Sequence, residues 1–251
     1  MLWRYIPPIE TSGQMQMAID RYLLEQHLLG NHPPTIRFYS WLPAAISLGY
    51  HQQDYPHSWD KLTWQNRPLN IVRRPTGGRA VLHQGDLTYA VIMSVAPGKR
   101  LAAYKQICQF LIVGWRSLGV DLEYGVATKE YSQHDNCFAT ATGSDLITKT
   151  GNKVIGSAQL RRRKAVLQHG SMILDTDPDL YEQIFKTPLE ENLLTNIKQK
   201  SDCRNHHRKI PSDRDKIIQN LIQAAISTFK IDIVKQPLST REWQDIASAL
   251  S

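Results

Sequence analysis

Arg73-Arg74-Pro75-Thr76-Gly77-Gly78-Arg79-Ala80-Val81-Leu82-His83 carries more information than any other part of this 251-residue chain. Paired glycines reach positive φ without steric cost and let a ligand approach main-chain N–H groups. The flanking arginines supply permanent positive charge for a phosphate or a carboxylate. A hairpin turn with surface arginines has the same composition, so the segment alone assigns no ligand. Two phosphate-binding loops are excluded, because the Gly-Lys-Ser/Thr ending of a P-loop and the three-glycine spacing of a dinucleotide turn are both missing.

Downstream, Gly151-Asn152-Lys153-Val154-Ile155-Gly156-Ser157-Ala158-Gln159 sets one lysine at the start of a strand. The strand continues into Gly-Ser-Ala, residues small enough that something else must fill the space beside them. Burial in apolar surroundings would push such a lysine toward its neutral form, whereas an anionic neighbour would hold it charged. The plain alternative is a hairpin with an exposed lysine.

Together the two motifs resemble the lipoate-protein ligase A-like and octanoyltransferase family. The resemblance spans residues 12–174. It takes in Met17-Ala18-Ile19-Asp20, Ser47-Leu48-Gly49-Tyr50-His51-Gln52 and Gln168-His169-Gly170-Ser171. Each piece is modest by itself; their order and spacing are specific. The implied fold is the biotin/lipoate-ligase catalytic domain, class II synthetase-like. This is an α+β architecture in which a mixed, largely antiparallel sheet packs with helices. The chain is read as one such domain over 1–251, with 198–251 a loop plus helical C-terminal extension.

The family contains two chemistries. Ligases activate free lipoate with ATP and then acylate a protein lysine. Octanoyltransferases use no ATP: they take octanoyl from acyl carrier protein onto a cysteine and pass it to a lysine of a lipoyl domain. A reactive cysteine therefore separates the two. Cys137 stands in Asn136-Cys137-Phe138 on a polar stretch, 131–142, sixteen residues before Lys153. A strand returning from that loop would bring thiol and ammonium together, and a neighbouring ammonium raises the thiolate fraction of a cysteine. The resemblance puts the nucleophile at Cys137 and the assisting lysine at Lys153. Thr76-Gly77-Gly78-Arg79 is also closer to the transferases than to the ligases, which tend to carry Ser-Gly-Gly-Gly. One departure stands out: Ala139-Thr140-Ala141-Thr142-Gly143 follows Cys137-Phe138 where the family pattern is acidic and contains proline.

Further roles follow as expectations. Gly77, Gly78, Gly156, Ser157, Ala158, His169 and Gly170 would line an acyl and pantetheine pocket, with a backbone N–H stabilising the tetrahedral oxyanion. Arg73 or Arg79 would hold a phosphate of the carrier's prosthetic group. His83 is either an orienting or proton-transferring group or a buried structural histidine. The run Arg161-Arg162-Arg163-Lys164 would dock acidic partners or simply be a solvated turn. The expected reaction is octanoyl transfer from acyl carrier protein, through a Cys137 thioester, to a lipoyl-domain lysine. The acceptor would be the glycine cleavage H protein or a 2-oxoacid dehydrogenase E2. No cofactor is expected, and ATP would enter only for a lipoate-protein ligase. A lipoyl-domain amidotransferase and a non-catalytic acyl-binding module are the other readings.

Outside the motifs, Met15, Ala18, Ile19, Tyr22 and Leu23 recur at helical spacing and predict a helix over 12–29 with Ser12 as N-cap. β-branched and aromatic residues predict strands over 1–5, 35–41, 45–49, 70–74 and 87–94, with 51–70 mostly loop. Ile107, Phe110, Leu111, Trp115 and Leu118 predict a second helix ended by Gly119, and Cys108 falls inside it as packing material. Strands over 146–150, 153–159 and 165–174 come next, then a helix over 178–186 capped by Asp177. The basic stretch 198–208 reads as an exposed loop. Two last helices follow, one burying Ile218, Leu221, Ile222, Ala225, Ile226 and Phe229, the other opened by a Ser239/Glu242 capping box.

Composition is that of a soluble globular protein and not of a disordered one: 41% of residues are hydrophobic and 21% charged. No apolar run reaches the roughly 20 residues of a membrane span. Three cysteines cannot all pair, which favours a reducing, cytoplasmic setting. The net charge of +7 favours acidic partners, but no zinc-finger, RNP-like or basic-zipper pattern supports nucleic acid. Cys203, His206 and His207 lack a full metal-ligand complement, so no metal is expected.

Overall fold

The computed structural model describes residues 1–98, 100–125, 145–190, 192–193 and 214–250. Cys137, Cys203, His206, His207 and the basic stretch 198–208 lie outside these. The chain opens with β1 (Leu2–Thr11), longer than the predicted strand. Ser12 then caps α1 (Gly13–Leu28), its Oγ accepting the Met15 N–H at 3.4 Å. The helix buries Met17, Ala18, Ile19, Leu23 and Leu24, but also Gln16 and Asp20, while Met15 and Tyr22 are only half-buried. The buried face is turned from the predicted one because α1 contacts strands of two different sheets. Gln16 is satisfied there: its Nε2 donates to Ile9 O and Ser40 O, each at 2.9 Å.

Next come β2 (Thr35–Trp41), β3 (Ala45–Leu48), a 3-10 turn (His57–Lys61), the two-residue strands β4 (Thr63–Trp64) and β5 (Arg67–Pro68), β6 (Asn70–Arg73), β7 (Val81–His83) and β8 (Leu87–Ser94). Helix α2 (Arg100–Ser117) is followed by Gly119 at φ +85, the left-handed exit expected of a glycine there. β9 (Leu122–Tyr124) and β10 (Leu146–Thr148) precede β11 (Lys153–Arg162) and β12 (Ala165–Met172). Asp177 caps α3 (Pro178–Phe185) by accepting the Leu180 N–H at 2.8 Å. The chain then forms α4 (Arg214–Phe229), β13 (Asp232–Lys235) and α5 (Thr240–Ser248), the last opened by the Ser239/Glu242 capping box.

The large sheet has eight strands in the order β13-β1-β2-β8-β12-β11-β10-β9. Five of its seven pairings are antiparallel; β1 pairs in parallel with both β13 and β2. A smaller sheet, β6-β3-β7, lies beyond α1. Strict alternation divides the core. Ile36, Phe38, Val91 and Val166 meet Phe110, Trp115 and Leu221 of α2 and α4, while Tyr39, Trp41, Ile92 and Leu167 meet Ile19 and Leu23 of α1. Ile46, Leu48 and Leu82 of the small sheet pack with Trp59 and with Leu180 and Ile184 of α3.

Residues 214–250 belong to these layers. Helix α4 fits against α2 at Gly114, where a Cβ would sit 2.7 Å from Leu221 Cδ2. β13 extends the sheet beside β1, and α5 rests on α1. β13 escaped sequence reading because three of its four residues are exposed, which leaves almost no buried face to detect.

Candidate active site

The Gly-rich turn joins β6 to β7, and Arg74 holds it from within. The Arg74 guanidinium donates to Gly77 O from Nε at 3.2 Å and from Nη2 at 2.9 Å, and to Arg79 O from Nη2 at 2.6 Å. Its Nη1 donates to Ser47 O at 2.7 Å and to Ser47 Oγ at 3.2 Å. In a trans peptide C=O and N–H point in opposite directions, so the Gly78 N–H faces away from the guanidinium. Gly78 sits at φ +92, and a Cβ on Gly49 would lie only 1.8 Å from Gly78 O. Both positions require glycine, one for its backbone angle and the other for the close approach.

The lysine motif forms a hairpin: β10 and β11 are antiparallel, and Gly151 turns between them at φ +93. Lys153 is buried, and its Nζ meets Asp145 Oδ2 at 2.9 Å. The anionic neighbour considered from sequence is therefore present. Further along β11, Ser157 faces Gly170 of β12. A Cβ at Gly170 would come within 2.5 Å of Gly156 O and 2.7 Å of Ser157 Oγ. Ser157 Oγ instead pairs with Tyr89 Oη at 2.7 Å, and Gln168 Nε2 donates to that same Tyr89 oxygen at 2.7 Å.

Two buried histidines are built alike. His169 Nδ1 lies 2.8 Å from Asp20 Oδ2 and its Nε2 lies 2.6 Å from Thr76 Oγ1. His83 Nδ1 lies 2.8 Å from Asp86 Oδ2 and its Nε2 lies 2.8 Å from Ser47 Oγ. Asp86 Oδ2 also accepts from Thr88 and Ser171, at 3.0 and 2.7 Å, and Trp41 stacks on His83 with centroids 3.8 Å apart. Burial lowers the His83 pKa, an effect that the Asp86 carboxylate opposes. His83 is thus a buried, hydrogen-bonded histidine whose ring also borders the site. Cys108 lies within the core, and burial pushes its thiol up to about 11, so it stays protonated at neutral pH.

These elements surround a cavity of about 890 Å³. Its wall brings together Arg73, Gly77, Gly78 and His83 from the first motif with Gly156, Ser157, Ala158, His169 and Gly170 from the second and its partner strand. Arg79 does not line it, and Lys153 reaches it through Asp145, which does. Arg73 is exposed at the rim, donating from Nη1 to Gly49 O at 2.9 Å and also to Gln52 O. Arg21, Arg100, Arg161 and Arg162 also border the opening, against Asp145 as the only carboxylate on the wall among the described residues. Sequence reading singled out neither Arg74 nor Asp20, Asp86 and Asp145. Asp20 was in view within Met17-Ala18-Ile19-Asp20, but a polar residue on a helix gives no sign of which partner it meets. Among the described residues no helix is long and apolar enough to cross a membrane.

Comparison with known proteins gives consistent results. Residues 12–230 match the model of the lipoyl protein ligase A/B catalytic domain family. Octanoyltransferase LipM of Brevibacillus brevis is 35% identical over 255 residues, covering 96% of this chain and 91% of the relative. Octanoyltransferase LipM of Anoxybacillus flavithermus is 40% identical over 214 residues, covering 80% and 76%. Among solved structures, protein Ta0514 of Thermoplasma acidophilum with bound lipoic acid superposes with a TM-score of 0.79 at 23% identity, over 100% of this chain and 95% of that one. A lipoate-protein ligase A bound with ATP gives 0.77 at 23% identity, over 100% and 94%. At that identity the two structures speak for the fold alone.

Proposed function

The chain belongs to the lipoyl protein ligase A/B catalytic domain family, and on that premise we infer that octanoyl travels through Cys137 with Lys153 as its assisting ammonium. The protein is an octanoyltransferase of protein lipoylation, an acyltransferase acting between an acyl donor and a lipoyl-domain acceptor. The finer assignment takes the donor as octanoyl-acyl carrier protein and the acceptor as a lysine of the glycine cleavage H protein or of a 2-oxoacid dehydrogenase E2. The single observation that carries it is the cavity wall, where the Gly-rich turn and the Gly-Ser-Ala strand meet under a rim of arginines. Such a rim suits the phosphate of a carrier's arm and an acidic carrier surface, and Arg73, Arg161 and Arg162 are its candidates.

The chemistry follows in two exchanges. The Cys137 thiolate adds to the donor thioester carbonyl, and the tetrahedral intermediate collapses with loss of the carrier's thiolate, which takes up a proton. The acceptor lysine, as the neutral amine, then adds to the Cys137 thioester. It gives up a proton as the amide forms and the Cys137 thiolate departs. The Lys153 ammonium, held by Asp145, favours thiolate over thiol at both ends of this cycle. Backbone N–H groups of the Gly-rich turn, Gly77 and Gly78, are the candidate oxyanion donors.

Intact-mass analysis after incubation with octanoyl-acyl carrier protein, without ATP, tests the assignment. An octanoyl adduct on wild type that is absent in Cys137→Ala supports it. Absence of any adduct, together with acylation of a lipoyl domain from free lipoate and ATP, would sink it.

A further inference from the structure

Neither arginines nor glycines alone fix the Gly-rich turn; a buried carboxylate on α1 reaches it through a histidine of β12. We propose that Asp20, on α1, is a positioning residue for octanoyl transfer: through His169 it fixes Thr76, and with Thr76 the backbone of Gly77 and Gly78 at the cavity. The proposal rests on the transferase reading.

Asp20, paired with the Arg37 guanidinium, sets the direction of the first hydrogen bond. An ionised carboxylate only accepts, so His169 Nδ1 carries the proton and donates to Asp20 Oδ2 at 2.8 Å. His169 Nε2 is then held against Thr76 Oγ1 at 2.6 Å. Both ring nitrogens are engaged, so while this relay stands His169 has no nitrogen with which to take a proton from substrate. It acts as a strut, not a base. Asp20 cannot swing away, because Arg37 Nη1 donates to its Oδ1 at 3.1 Å and Tyr39 Oη to its Oδ2 at 3.0 Å. At the far end Thr76 O accepts the Tyr50 N–H at 2.8 Å, which ties the turn to the rim segment that follows β3. Asp20, His169 and Thr76 are all buried.

The second relay meets the same turn through Arg74. Ser47, held by His83, also accepts from Arg74, the group that grips Gly77 O and Arg79 O. The Asp20 relay reaches the turn separately, through the Thr76 hydroxyl. N–H groups that must meet an oxyanion gain their effect by being held in place before the charge develops. Loosening them lowers kcat more than it raises KM.

The test is steady-state octanoyl transfer from octanoyl-acyl carrier protein to a lipoyl domain by Asp20→Asn, Thr76→Val, Thr76→Ser and the double D20N/T76V. Each is checked by thermal melting, with hydrogen exchange followed across residues 74–82. Thr76→Val is nearly isosteric and leaves the Asp20–Arg37 pair intact, so it decides the matter should Asp20→Asn fail to fold. Thr76→Val is expected to lower kcat by about tenfold or more while KM moves less than about threefold, and Thr76→Ser to recover most of that loss. Exchange across the turn quickens in Thr76→Val, and the double variant is no slower than its worse parent. A folded Thr76→Val with wild-type kcat and unchanged exchange overturns the proposal, as do losses that multiply in the double variant. A wild-type protein that transfers no octanoyl overturns the transferase reading instead, and the exchange measurement still judges the relay.

Discussion

Lys153 Nζ and Asp145 Oδ2 form an ion pair of 2.9 Å with side chains only 2% and 4% exposed. Removing one member of a buried pair strands the other charge, at a cost of about 3–5 kcal/mol. Lys153→Met and Asp145→Leu are therefore each expected to lose that much stability in urea unfolding. The double variant K153M/D145L, with neither charge left to strand, should recover most of it. Octanoyl transfer should stay lost in all three, because the proposed assisting ammonium is gone or misplaced. A double variant that regains both stability and transfer would show that Lys153 is structural.

Gly170 tests whether the space beside Ser157 is needed. A methyl there meets Gly156 O at 2.5 Å, Ser157 Oγ at 2.7 Å and the Tyr89 ring at 2.7 Å. Two of these are backbone or fully buried atoms that cannot retreat. Gly170→Ala is expected to destabilise by about 1–3 kcal/mol, typical of overpacking, and to lower transfer by displacing the cavity wall. Chemical denaturation and the transfer assay read the two effects separately. Wild-type values in both would mean that β11 and β12 separate more easily than their register implies.

The motifs revealed this site because their chemistry is local, whereas its supports are not. Gly77, Gly78 and the strand from Gly156 to Ala158 are marked by small residues at short range, and they do meet across one cavity. Asp20 acts on His169, contributed by a strand far along the chain, and no spacing rule announces such a pairing; Asp86 lies three residues after His83, but outside a helix that spacing does not reveal that the carboxylate meets the ring. Arg74 does not stand apart from Arg73 and Arg79 in the sequence, since three arginines in one short stretch look alike until burial separates them; of the three only Arg74 is buried. Long strands such as β2 and β8 were legible from their run of β-branched and aromatic residues. The two-residue strands β4 and β5 offer no period at all, and β7, with every residue buried, offers no alternation.

Glu242 sets the acid limit of the C-terminal helix. Burial raises its pKa, but hydrogen bonds from Arg4 and from Ser239 outweigh that and hold the carboxyl down at about 2 against an ordinary 4.5. A depressed carboxyl stabilises the fold above its unfolded pKa and loses that contribution as pH falls through its folded pKa. Stability should thus decline between about 4.5 and about 2 as this pair is titrated. Because Arg4 Nη1 lies 2.6 Å from Glu242 Oε1 and links β1 to α5, Glu242→Gln should flatten that part of the pH–stability curve and loosen α5. Thermal melts across this pH range are the measurement, and an unchanged slope in Glu242→Gln would rule the pair out as its source.

Arg74→Lys separates charge from geometry in the Gly-rich turn. The guanidinium grips Gly77 O, Arg79 O, Ser47 O and Ser47 Oγ at once, from three nitrogens in a fixed plane. A lysine ammonium keeps the charge but is a single point, so it cannot span carbonyls on opposite sides of the turn. The Gly77–Gly78 peptide then loses the contact that directs its N–H away from Arg74, and with it an oxyanion donor in the proposed mechanism. Loss of one such donor costs about 10²–10³ in kcat. Transfer by Arg74→Lys is expected to fall within that range with little change in KM, in a protein that still folds. A fall in stability without a fall in kcat would show that Arg74 serves only the β3–β6 packing beneath the turn.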